Sequence, residues 1–130
     1  MLNLKSQTSS IQLSSENLKN LLLNTETFGT ILPEEAKNFT HTEEGIQFTL
    51  ASMPEIRLKK NLSKDIVCYE AAGGKMPFSI SCNTNSTSES VCEAYFEFKG
   101  DFNPMMAMMA KKPLQKFIDT LAANLSRLEK

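Results

Sequence analysis

Cys92-Glu93-Ala94-Tyr95-Phe96-Glu97-Phe98-Lys99 runs through Gly100-Asp101-Phe102 into Asn103-Pro104-Met105-Met106-Ala107-Met108-Met109-Ala110-Lys111-Lys112-Pro113-Leu114, and the change of period across this junction decides the fold. Before it, Cys92, Ala94, Phe96 and Phe98 take one face and Glu93, Tyr95, Glu97 and Lys99 the other, the period of a half-buried strand. After it, Leu114, Phe117, Ile118, Leu121, Leu125 and Leu128 recur at helical spacing and form one apolar stripe. Asn103 is the expected N-cap of this long helix, and Pro104 stands at the first helical position, where a missing N–H does no harm.

Working upstream, Met76, Phe78, Ile80 and Cys82 alternate with Ser79, Ser81 and Asn83, so a second strand precedes the first across a polar loop expected at 83–90. Gly73-Gly74 marks a turn before it. The segment Ile66 to Ala71 reads as a strand whose inward face stays open, because Val67 and Tyr69 compete with Ile66 and Cys68. Ile56 and Leu58 oppose Glu55, Arg57 and Lys59, with a turn expected at 61–65. Ile46, Phe48 and Leu50 share a face opposite Gln47 and Thr49. Met53-Pro54 separates those two strands.

The start of the chain differs. Residues 2–13 read as an opening strand, after which Ser14 caps a helix carrying Glu16 in its first turn and Leu18, Leu21 and Leu22 on one stripe. Thr25 is the expected cap of a second short helix that ends before Pro33. The expected architecture is therefore α+β: a curved antiparallel sheet of about six or seven strands wrapped on a long C-terminal helix, with two short helices after the first strand, in a single domain over 1–130. A bent sheet and a straight helix part along their length, and the space left is where an apolar small molecule would bind.

Bulk properties narrow the function. The 130 residues are 41% hydrophobic and 22% charged with formal net charge −1, so no basic surface for nucleic acid is expected. No apolar run approaches the roughly 18 residues that span a bilayer, and a polar start and three free cysteines, Cys68, Cys82 and Cys92, lead to the expectation of a cytoplasmic protein without stable membrane insertion. The cysteines form no Cys-x-x-Cys pair, so neither a metal site nor a cofactor is expected. Cys82 and Cys92 fall on inward faces and are expected near each other across their hairpin.

The whole chain resembles the START-like superfamily, also called SRPBCC, Bet v 1-like or polyketide cyclase-like. Ile11-Gln12-Leu13-Ser14-Ser15-Glu16-Asn17-Leu18 resembles that family's opening, a strand entering a Ser-capped helix, and 103–114 resembles a bacterial subgroup of small members. The resemblance implies the helix-grip fold. It leaves the function open among lipid carriers, cyclases, ligand binders and chaperone-linked domains.

The residues expected to line the space are Phe48, Leu50, Ile56, Leu58, Phe78, Ile80, Phe96, Phe98, Met105, Met106, Met109 and Phe117, with Tyr69 and Glu70 as candidate polar anchors. The methionines Met105, Met106, Met108 and Met109 are adaptable in shape; in a straight helix Met105 and Met109 point away from the Leu121 stripe, so either Pro113 bends them inward over the space, or a loop or partner covers them, with plain core packing as the third reading. His41, the sole histidine, lies in the polar run Thr40-His41-Thr42-Glu43-Glu44 and reads as a surface residue. With no catalytic set in view, the expectation is binding or carriage of an apolar, lipid-like molecule by a protein that is not an enzyme. The alternatives are an interaction module or homodimer using 105–109, and a cyclase-like or dehydratase-like enzyme using Tyr69, Glu70 or Tyr95.

Overall fold

The computed structural model describes residues 2–50, 56–63, 66–71 and 78–128. The strands are β1 (Leu2–Lys5), β2 (Ser9–Ile11), β3 (Ala36–His41), β4 (Gly45–Leu50), β5 (Ile56–Ser63), β6 (Ile66–Ala71), β7 (Phe78–Ser86) and β8 (Cys92–Gly100). The helices are α1 (Ser15–Leu23), α2 (Thr25–Thr30) and α3 (Pro104–Asn124), the last continued by a 3-10 turn over Leu125–Leu128. The strands form one antiparallel sheet in the order β1-β8-β7-β6-β5-β4-β3, with β2 also paired to β8. This is the α+β helix-grip architecture.

Local chemistry accounts for most boundaries. The Ser14 side chain accepts from the Asn17 N–H at the start of α1, and Asn103 accepts from the Met106 N–H at the start of α3. The cap of α2 is Asn24, whose side chain accepts from the Thr27 N–H; Thr25, expected in that role, is the first helical residue and is buried. The opening strand is two strands. Lys5 pairs with Glu97 and Ser9 with Ala94, so three residues on one strand face two on β8, and the Ser6 backbone and hydroxyl both bond to Phe96 across the bulge. A second irregularity divides β3 between Lys37 and Thr40; there Asn38 sits at φ 57, a conformation Asn tolerates.

Two expected turns are shorter than their composition suggests. β5 continues to Ser63, and β7 continues to Ser86 in register with Cys92, because cross-strand pairing outweighs the weak strand preference of Asn and Ser. Met53-Pro54, Gly73-Gly74 and Met76 lie outside the described residues.

Pairing sets the open question of β6. Tyr69 lies opposite Ile80 and Lys60, and Val67 and Tyr69 are buried while Glu70 is exposed. The concave side thus carries Ile46, Phe48, Ile56, Leu58, Val67, Tyr69, Ile80, Cys82, Ala94, Phe96 and Phe98, all buried. Across it lies α3, burying Ala110, Leu114, Phe117, Ile118, Leu121 and Ala122. Each large apolar side chain there contributes about 2 kcal/mol by leaving water. α3 runs through Pro113 as one helix, and Met106 and Ala107, packed against the core, extend its stripe upstream.

Candidate functional site

The interior between sheet and α3 has two unlike ends. At one, α1 and α2 plug the sheet. Phe28 packs against Tyr69 at 4.2 Å between ring centroids and edge-on to Phe96 at 6.4 Å, and Leu18, Leu22 and Ile31 are fully buried. α3 is tied to this end by Asn124, which donates to the Ile31 carbonyl, and Arg127, which donates to that of Thr30. The middle is closed by Phe48 of β4 and Phe117 of α3, stacked at 5.4 Å with 16° between planes. The expected parting of helix and sheet is therefore not seen at this level: two aromatic rings bridge it.

At the other end stands a second aromatic cluster. Phe78, Phe98 and Phe102 cluster with centroids 5.3 to 6.5 Å apart. Gly100 lies beneath them, where an added Cβ would meet Phe98 at 3.0 Å and Phe102 at 3.2 Å, so the rings rest on bare backbone. Phe78 and Met106 are only partly buried. This rim lies where β8 leaves the sheet for α3.

Most of the expected lining residues do come together. Phe48, Ile56, Leu58, Ile80, Phe96, Phe98 and Phe117 are buried on the facing surfaces, and Phe78 and Met106 stand at the rim. Leu50 ends β4, and its side chain lies outside the described set. Met105 and Met109 are elsewhere: they are 74% and 69% exposed, and Met108 is 81% exposed. α3 continues as one helix through Pro113, with Met106 and Ala110 against the core and these three methionines on its outward side. Phe102, Phe28 and Ala110 belong to the interior and were not among the expected lining residues; the helical spacing of Met106, Ala110 and Leu114 was the available signal for the last.

The two candidate polar anchors have other work. The Tyr69 hydroxyl donates to the Leu22 carbonyl at 2.6 Å, and burial pushes its ionisation well above the usual phenol range. Lys60, directly opposite on β5, donates to the Leu23 carbonyl at 3.0 Å. A cross-strand pair thus satisfies two carbonyls that the end of α1 leaves without intrahelical partners. Glu70 projects from the outer face, where the Asn61 amide donates to it.

Other polar groups gather on the surface. Thr25 donates its proton to the Thr42 carbonyl and lies 3.4 Å from Nδ1 of His41. Exposed His41 stacks on Phe39 and borders a cleft of about 630 Å³ with Glu26, Glu43 and Lys60. Among the described residues no three His, Cys, Asp or Glu side chains are grouped to hold a metal ion. The Cys82 thiol pKa is pushed up to about 12, chiefly by burial. Cys82 and Cys92 are not opposite each other, however: Cys82 pairs with Phe96 and Cys92 with Ser86, four residues along the strand. Both are free thiols.

No protein-family model and no curated protein matches the sequence. Solved structures do match, at low identity. One is the di-domain ARO/CYC protein BexL of the BE-7585A biosynthetic pathway, with TM-score 0.72 and 9% identity over 98% of this chain and 46% of that one. Norcoclaurine synthase from Thalictrum flavum, in complex with dopamine and hydroxybenzaldehyde, gives 0.68 and 11% over 97% and 84%. A START superfamily protein from Mycobacterium smegmatis gives 0.63 and 10% over 97% and 98%. The chain has the START-like fold that its sequence resembles. The same comparisons correct the expectation that it is not an enzyme, because a cyclase and a synthase are built on this fold.

Proposed function

From this START-like fold we propose that the chain binds an apolar, lipid-like small molecule between α3 and the concave face of the sheet, entering at the rim of Phe78, Phe98, Phe102 and Met106. The observation that carries the reading is the partly open apolar edge where β8 leaves the sheet for α3. The concave sheet face and α3 present a continuous apolar lining, and Phe78 and Met106 stand partly open at its edge beside buried Phe98 and Phe102. An apolar molecule would displace water from these side chains and continue the core, gaining about 25 cal/mol per Å² of apolar surface covered. The complex of norcoclaurine synthase with dopamine and hydroxybenzaldehyde adds support, being a small-molecule complex of the same fold.

Native mass spectrometry of gently purified protein, followed by titration with an apolar fluorescent probe and a fatty-acid panel, tests the proposal. The expected result is one apolar molecule per chain, released by Phe78→Arg at the rim, with circular dichroism showing that the variant is still folded. Bare protein that takes up no probe and no fatty acid would refute it.

A further inference from the structure

Met105, Met108 and Met109 are the large apolar side chains that remain exposed among the described residues, and all three lie in the first turns of α3. We propose that this patch docks the protein on an anionic lipid surface. The inference goes beyond ligand binding and does not depend on it, since vesicle binding is measured on the protein alone.

Three observations favour a bilayer over another protein. The patch is convex: it is the outward side of a helix whose inward side packs on the core through Met106 and Ala110. A rigid partner would need a matching pocket, whereas a fluid interface accommodates protruding flexible side chains. It is also small. Three side chains fall well short of the about 800 Å² per partner of a stable interface, which disfavours a second copy of this chain.

The third observation is charge. Exposed Lys111 and Lys112 follow the methionines directly. At about 1.5 Å per residue, Lys112 lies roughly 4.5 Å beyond Met109 and 10.5 Å beyond Met105 along the helix axis. Amphipathic segments sink about 5–10 Å into the headgroup boundary. With the start of α3 tipped into the interface, the methionines reach the acyl boundary and the lysines stand at phosphate level. Lys116, one turn further, is engaged with Glu35 at 3.4 Å. Exposed Asp101, before the helix, opposes the interaction, so Asp101→Asn strengthens it.

Co-sedimentation with vesicles of phosphatidylcholine alone and of phosphatidylcholine mixed with phosphatidylglycerol tests the proposal. Wild type binds the anionic vesicles far better, and added salt weakens binding. The triple variant Met105→Ser, Met108→Ser, Met109→Ser loses affinity on the order of 100-fold. Lys111→Glu with Lys112→Glu loses at least about tenfold together with the preference for anionic lipid. All these side chains are exposed, so circular dichroism and melting temperature stay at wild-type values. No binding to anionic vesicles, equal binding to both vesicle types, or wild-type binding by the methionine variant overturns the proposal. So does a concentration-dependent dimer that the methionine variant dissolves while vesicles remain unbound, which assigns the patch to a second copy of the chain.

Discussion

Replacing Tyr69 by Phe removes one oxygen atom and little else. The ring keeps its place against Phe28, 4.2 Å between centroids, so the substitution isolates the hydrogen bond to the Leu22 carbonyl. That carbonyl belongs to the last turn of α1, and both Tyr69 and Leu22 are buried. Water cannot readily replace the lost donor, so the loss is that of a buried unsatisfied carbonyl, about 2 kcal/mol. For a chain of 130 residues this is a fall of roughly 8 °C in melting temperature at about 4 °C per kcal/mol. Urea unfolding should show a lower midpoint with an unchanged slope, because the surface exposed on unfolding is the same.

The pH dependence gives a second reading of the same bond. Burial raises the folded-state pKa of Tyr69 above its unfolded value, so the fold favours the neutral phenol. The stabilisation is fully present below the unfolded pKa of about 10 and declines as pH rises from there toward the folded value. The advantage of wild type over Tyr69→Phe therefore holds at neutral pH and shrinks above about pH 10. Lys60→Met, which removes the bond to the Leu23 carbonyl, should cost about 1 kcal/mol. Because the two residues face each other and hold one helix end, the double variant should be non-additive. A Tyr69→Phe protein within about 0.5 kcal/mol of wild type, with an unchanged gap at alkaline pH, would refute the idea that this pair docks α1 on the sheet.

Two further outcomes follow from single sites. Gly45→Ala places a methyl group on the Leu58 carbonyl oxygen of the neighbouring strand, where only backbone movement can relieve it; a loss of about 3 kcal/mol in urea unfolding is expected, and a loss below about 1 kcal/mol would show that the two strands separate easily. A thiol reagent near pH 8 should count three thiols in denaturant but leave Cys82 and Cys92 unmodified in the native protein, with half-buried Cys68 slow because burial and Glu70 raise its pKa. Rapid native labelling of all three would contradict the burial of β7 and β8.

What the amino-acid order determined by itself was most of the elements and their apolar sides; β3 and the division of the opening strand into β1 and β2 were not among them. Alternation at 46–50, 56–58, 78–82 and 92–98 and the stripe from Leu114 to Leu128 each carry their period locally, and Ser14 and Asn103 mark helix starts through bonds to residues three positions away. Such features need no knowledge of distant chain. What tertiary structure alone decided was everything set by a partner remote in sequence. β6 has apolar residues on both faces, and only its pairing with β5 and β7 turned Tyr69 in and Glu70 out. The Tyr69 hydroxyl was claimed by Leu22, 47 residues away, which no spacing rule anticipates. Met105, Met108 and Met109 were left outside because α3 runs on through Pro113 as one helix with Met106 and Ala110 already filling the place against the core. Whether a proline bends a helix, and which side of it then meets the sheet, depends on packing energies summed over the whole interface, and a local pattern does not contain that sum.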